Sequence, residues 1–176
     1  MITTTQPEPT PLHRLVDRAV RAIPTARQAF FGSAVWALAM AASALIGISG
    51  LDWETAAKVR QVVVIFALGG ALAFPLGLFA AHFMAMGRSR ETAIAAAFLA
   101  FGLATVAAIG LVFAFDYRTY YAEWHADAGT YVWLLQLTFT TLAALYQFGV
   151  LGLRLLFPVG FLALLGVSIW FARLPR

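Results

Sequence analysis

Apolar residues in this chain come in long runs, and charge marks the gaps between them. Uncharged stretches of 24 residues between Arg27 and Asp52, 27 between Arg60 and Arg88, and 24 between Glu91 and Asp116 are followed by 26 between Asp127 and Arg154 and 18 between Arg154 and Arg173. About 20 mostly apolar residues cross the hydrocarbon core of a bilayer as a helix. No water is available there to bond the backbone, so each run must satisfy its own amides by coiling. The pattern predicts an all-α, polytopic transmembrane helical bundle. Spans are expected near residues 30–50, 61–86, 92–115, 131–148 and 157–172, within a transmembrane domain over 28–172.

The last two spans need an argument of their own. From Tyr131 to Ala172 the chain is apolar except for Arg154. A single straight helix of that length would measure about 63 Å, twice the hydrocarbon thickness. Gly149, Gly152 and Pro158 surround Arg154 and predict a tight hairpin over 150–156. That gives five spans. The alternative has four, with both chain ends on one side and the final apolar run left over. Inside the second span, Pro75 removes a helical hydrogen bond and predicts a kink.

Residues 1–10 are polar and proline-containing, and predict a disordered tail. Thr10 and Pro11 read as an N-cap followed by proline at the first helical position. Leu12, Leu15, Val16, Ala19, Val20 and Ile23 then recur at helical spacing, with Arg14, Asp17, Arg18 and Arg21 mostly opposite. This predicts a basic amphipathic helix within 11–27, ended near Pro24. It would lie in the membrane interface with its arginines toward anionic lipid. The long polar leader favours an uncleaved anchor over a cleavable signal peptide. A short tail, 173–176, closes the chain.

Composition narrows the function classes. The chain is 62% hydrophobic and 11% charged, far below the roughly 25% charge of soluble domains. Its net charge of +4 is scattered between spans, so nucleic acid is not an expected partner. The absence of cysteine removes disulfides, thiolate catalysis and cysteine-held iron–sulfur or zinc centres. Arginine outnumbers lysine eleven to one, as GC-rich codon usage produces, which points to a bacterium. The five-span topology with a cytoplasmic N-terminus puts Arg14, Arg18, Arg21, Arg27, Arg88, Arg90 and Arg154 inside. Lys58, Arg60, Arg118, Arg173 and Arg176 then lie outside, a modest positive-inside bias. The expected location is a bacterial inner membrane.

Small residues recur every fourth position in three spans: Ala39, Ser43 and Gly47; Gly69, Ala73, Gly77 and Ala81; Ala96, Ala100, Ala104 and Ala108. Such stripes let helix backbones approach. The three helices are expected to pack along them, the glycine-bearing stripe of the second span most specifically.

Buried ionisable groups are scarce. His82, near the end of the second span, can serve as an interhelical donor or as a haem ligand. Gln136, Thr140 and Gln147 share a face of the fourth span and read either as interhelical polar contacts or as the lining of a substrate path. Arg14, Arg18, Arg21, Arg88, Arg90 and Arg154 are candidate contacts for anionic lipid, the last three grouped at one side. Glu123, His125 and Asp127 alternate in a loop rich in tyrosine and tryptophan. That loop reads as an interfacial aromatic belt with solvated charges rather than a metal site. No phosphate-loop, zinc-protease or nucleophile-elbow motif occurs, and neither a cofactor nor a metal is called for.

The leading expectation is a non-enzymatic accessory, assembly or structural subunit of an inner-membrane complex. Its partners would be the lipid bilayer and either another membrane protein or a second copy. The alternatives are a small transporter or channel component with a polar path along the fourth span, and a lipid- or haem-handling membrane enzyme.

Overall fold

A computed structural model of the chain describes residues 10–50 and 55–174, and every regular element among them is helical. Residues 1–9 of the expected N-terminal tail, the loop residues 51–54, and the last two positions of the C-terminal tail lie outside the described residues. The elements are α1 (Pro11–Ala22), α2 (Ala26–Ser49), α3 (Ala56–Ala85), α4 (Arg90–Tyr121), α5 (Tyr131–Gln147) and α6 (Val159–Phe171). Thr10, Thr25, Thr55, Ser89 and Thr130 each begin a helix with the side-chain oxygen accepting a backbone N–H three residues on. Each cap satisfies one of the donors that a helix start leaves unpaired.

Among the described residues, four helical stretches are long and apolar enough to cross a membrane: Ala26–Ser49, Ala56–Ala85, Arg90–Trp124 and Tyr131–Leu156. The 13 residues of α6 rise only about 20 Å, short of the roughly 30 Å hydrocarbon thickness. The long helices therefore number four.

α3 packs against both α2 and α4. A Cβ placed on Gly69 would lie 2.6 Å from the Ile109 Cα, and one on Gly77 would lie 2.7 Å from the Phe101 ring. Ala73 and Ala81 are fully buried. The stripe of the second span is thus in close contact with α4, as its glycines predict. Gly70 turns the other way, onto Met40 of α2. Trp36, Phe74 and Phe101 stack between the three helices with centroids 5.3 to 6.4 Å apart. The Trp36 indole N–H donates to the Thr105 hydroxyl at 3.0 Å, tying α2 to α4.

Pro75 sits inside α3 without ending it. Proline leaves the carbonyl four residues earlier without its helical donor. That carbonyl is Ala71, and the Ser33 hydroxyl of α2 donates to it at 2.8 Å.

The stripe of the first span does not meet α3 or α4 along its outer half. Ser43 and Gly47 receive the α5–α6 connection instead. Gly47 faces Leu155. The Ser43 hydroxyl donates to the Leu155 carbonyl at 2.7 Å and accepts from the Gly160 N–H at 3.0 Å. The expected hairpin over 150–156 is absent. Helical winding continues through a π turn, Phe148–Gly152, and a 3-10 turn, Leu153–Leu156, and breaks at Phe157 and Pro158. α6 then packs along α4 and α2. Its start is at Ser43, Leu164 lies against Gly102, and Phe171 reaches His82. From Tyr131 to Phe171 the chain traverses the bundle once, in two half-helices. Glycine and proline broke the run as expected, but the helix resumes onward because Ser43 bonds both sides of the break.

The bundle has two distinct ends. The basic end holds the close of α1, the α3–α4 turn with Arg88 and Arg90, and the close of α6. The aromatic end holds the start of α3, the close of α4 and the cap over 122–130. There the Gln61 amide donates to Asp116 at 2.8 Å.

Replacing Gly77 with Leu is expected to cost about 3 kcal/mol through overpacking against Phe101. It should lower both folded yield and thermal midpoint in detergent. Ser33→Ala should cost about 1–3 kcal/mol by orphaning the Ala71 carbonyl. Unchanged thermal unfolding in both variants would contradict these packing assignments.

Candidate functional site

At the basic end, α1 and α3 hold one another through their C-terminal turns. Ala22 closes α1 and is fully buried. One turn earlier, the Arg18 guanidinium donates to the Phe83 carbonyl at 3.1 Å and stands 5.3 Å over the Phe83 ring. Phe83 lies in the last turn of α3, where carbonyls lack helical partners and the helix dipole favours a cation. His82 returns the contact. Its ring lies within hydrogen-bonding reach of the Ala22 backbone and 5.1 Å from the Phe171 ring. Arg18 of α1 thus supplies a donor to the C-terminal end of α3, and the His82 ring closes against the end of α1 and against Phe171.

Arg18 does not join the lipid-facing arginines that its sequence position predicts. It shares a stripe with Ala22, four residues on, and that narrow stripe docks α1. The Arg18 Nε is buried without a hydrogen-bond partner. Arg14 and Arg21 are exposed, and so is the apolar face of α1, with Leu12, Val20 and Ile23 more than 60% accessible. Arg88 and Arg90 are exposed at the α3–α4 turn. Arg154 is not grouped with them. It precedes Leu155, which lies on Gly47 near the opposite end of α2.

Between α1, α3 and α6 remains a cleft of about 330 Å3, lined by Arg21, His82, Ala85, Met86, Gly87, Phe171 and Leu174. Gly87 adopts φ +73°, a left-handed turn that suits glycine and sets the cleft rim. The lining joins the cationic Arg21 and the His82 ring to an apolar floor. This arrangement accommodates the boundary between an anionic headgroup and a hydrocarbon chain.

The polar face of α5 is fully engaged. Gln136 accepts the Ala126 N–H at 2.8 Å, Thr140 bonds His125 at 3.2 Å, and the Gln147 amide donates to the Tyr117 hydroxyl at 3.4 Å. Thr138 and Thr141 donate to carbonyls of their own helix. These residues fasten α5 to α4 and to the 122–130 cap.

The three histidines are apart. His13 faces Asp17 at 3.8 Å on the first turns of α1, His82 is at the basic end and His125 is at the aromatic end. No pair sits at matching depth for a bis-histidine haem. Glu123, His125 and Asp127 do not converge, and no three potential ligands gather around a metal position among the described residues. Tyr120, Tyr121 and Trp124 form an aromatic cluster with centroids 5.1 to 5.9 Å apart, and Arg118 stands over Trp133. Sequence reasoning missed Ser33 and read Ser43 only as a small residue in a packing stripe. Their signal was a lone hydroxyl in an apolar helix, with a proline waiting elsewhere for a donor.

Arg18→Gln combined with His82→Ala should free α1. Amide exchange across 12–22 is expected to accelerate by about tenfold or more, as a local opening loses roughly 1.4 kcal/mol. The α3–α4 amides should stay protected. Unaltered α1 exchange would show that this pair does not hold the helix. No protein-family model, no curated protein and no solved structure matches the chain.

Proposed function

We propose that the chain is a non-enzymatic integral membrane protein, an accessory, assembly or structural subunit of a larger complex in a bacterial inner membrane. The observation that carries this reading is the state of α5. Gln136, Thr140 and Gln147 hold the helix to α4 and the cap, while the face about a quarter-turn away carries an uncovered apolar stripe. Leu135, Phe139, Leu142 and Tyr146 fall at i, i+4, i+7 and i+11, and all are exposed. Residues at that spacing share one helix face. A partner span or a second copy can lie along it, with large side chains supplying the packing that membrane association relies on.

Orientation follows from charge. With the last segment crossing once, Arg14, Arg18, Arg21, Arg27, Arg88, Arg90 and Arg173 belong to the basic end. Lys58, Arg60, Arg118 and Arg154 belong to the aromatic half. Seven against four supports a cytoplasmic basic end by the positive-inside tendency. Exposed Arg14 and Arg21 then face the anionic leaflet, with the apolar side of α1 in the headgroup boundary.

Solubilised mildly from its own membrane, the chain is expected to co-purify with a stoichiometric membrane partner or as a homo-oligomer. Phe139→Ala with Leu142→Ala should reduce that association by about tenfold, the loss of roughly 1.4 kcal/mol of packing, at unchanged thermal midpoint. A chain that runs alone before any mutation refutes the subunit reading. Solute flux in liposomes that disappears with Gln136→Leu would favour a transporter.

A further inference from the structure

The break between the two half-helices borders a second cavity, of about 220 Å3. Its walls are Trp36 and Met40 of α2, Gly102 and Val106 of α4, Leu153, Leu156 and Phe157 of the connection, and Leu164 of α6. The polar groups at its edge are already used: Trp36 bonds Thr105, and Ser43 bonds Leu155 and Gly160. An apolar chain can enter such a space without stranding a donor or acceptor. Val106, Leu153 and Phe157 are exposed, so the cavity reaches the lipid-facing surface.

Arg154 flanks that opening. It is the single charged residue between Asp127 and Arg173. It is exposed, and its side chain has neither a hydrogen bond nor an ion pair among the described residues. Leu153 and Leu156, the cavity residues on either side, are three apart in a 3-10 turn, where positions i and i+3 eclipse. Arg154, one residue on from Leu153, stands about a third of a turn away from that face and is exposed beside the mouth of the cavity. Its depth is defined by Leu155, which lies on Gly47, about 3 Å of helical rise before the end of α2. From Gly47 down to Trp36 is a further 16 Å or so of rise.

The geometry points to a bound anionic phospholipid, its headgroup phosphate on Arg154 and one acyl chain descending through the break into the cavity. A cation near the hydrocarbon boundary is stabilised by a phosphate. The cavity begins beside that cation and continues inward with apolar walls. Charge and hydrocarbon complementarity thus meet in one lipid. This site is separate from the basic-end cleft and does not depend on the subunit reading.

Trp36 provides the readout. In the full-length chain with Trp53, Trp124, Trp133 and Trp170 replaced by Phe, Trp36 is the sole emitter. The protein is placed in phosphatidylcholine nanodiscs doped with phosphatidylglycerol brominated along the acyl chain, or with brominated phosphatidylcholine. Brominated phosphatidylglycerol should quench saturably at a mole fraction about tenfold lower, the ratio expected from one charge-assisted contact. Arg154→Gln should remove that preference. Val106→Phe should abolish quenching by either lipid while the thermal midpoint is kept. Equal quenching by the two lipids, or a preference that survives Arg154→Gln, overturns the proposal. Native mass spectrometry of the wild-type chain from mixed micelles gives an independent reading. One retained phosphatidylglycerol that Arg154→Gln loses supports the site, and identical lipid retention in both proteins overturns it.

Discussion

Backbone amides in hydrocarbon must find partners within the protein, and this bundle interrupts its helices twice. Pro75 leaves one carbonyl without a donor, and the break at Phe157 and Pro158 opens the winding of the last crossing. Both interruptions are answered from α2. Ser33 donates to the carbonyl freed by the proline, and Ser43 bonds one group on each side of the break. Two hydroxyls ten residues apart on the first long helix thus allow a proline inside the second and a discontinuity in the last. Without Ser43, the Leu155 carbonyl and the Gly160 N–H would be buried and unpaired, and such groups are costly.

Close approach is the companion of that stitching. Gly69, Gly70 and Gly77 let α3 touch a neighbour on either side, and the rings of Trp36, Phe74 and Phe101 fill the space where the backbones diverge. The bond from Trp36 to Thr105 uses the donor that a buried indole must place somewhere. Packing and hydrogen bonding therefore fall on the same few levels of the bundle. At its two ends the protein changes character. Arginines, together with His82, attend helix C-termini at one end, and tyrosine and tryptophan rings gather at the other.

Much of this was legible in the residues. Charge spacing located the long helices, and Thr10 with Pro11 opened α1 as expected. Glycine at fourfold spacing has few other uses in an apolar helix than close approach, and Gly69 and Gly77 of that stripe lie on Ile109 and Phe101. The direction of the chain after Leu156 was not legible. Glycine and proline announce a break, but a hairpin and an onward step contain the same breakers. The deciding partner, Ser43, lies 117 residues from Gly160. The inward turn of Arg18 was hidden for a similar reason. A two-faced helical pattern has no place for a third, narrow stripe, and only the end of α3 reveals what Arg18 bonds. Gln136, Thr140 and Gln147 were found as a face, but their partners sit in a cap whose shape the sequence does not spell out.

The long reach from Ser43 to Gly160 has a consequence for biosynthesis. α2, α3 and α4 follow one another along the chain and pack together, so they can consolidate as they leave the insertion machinery. Their trio presents a vacant berth between α2 and α4 until α6 arrives. The final half-helix is the keystone laid last, and its place is cut by residues translated more than a hundred positions earlier.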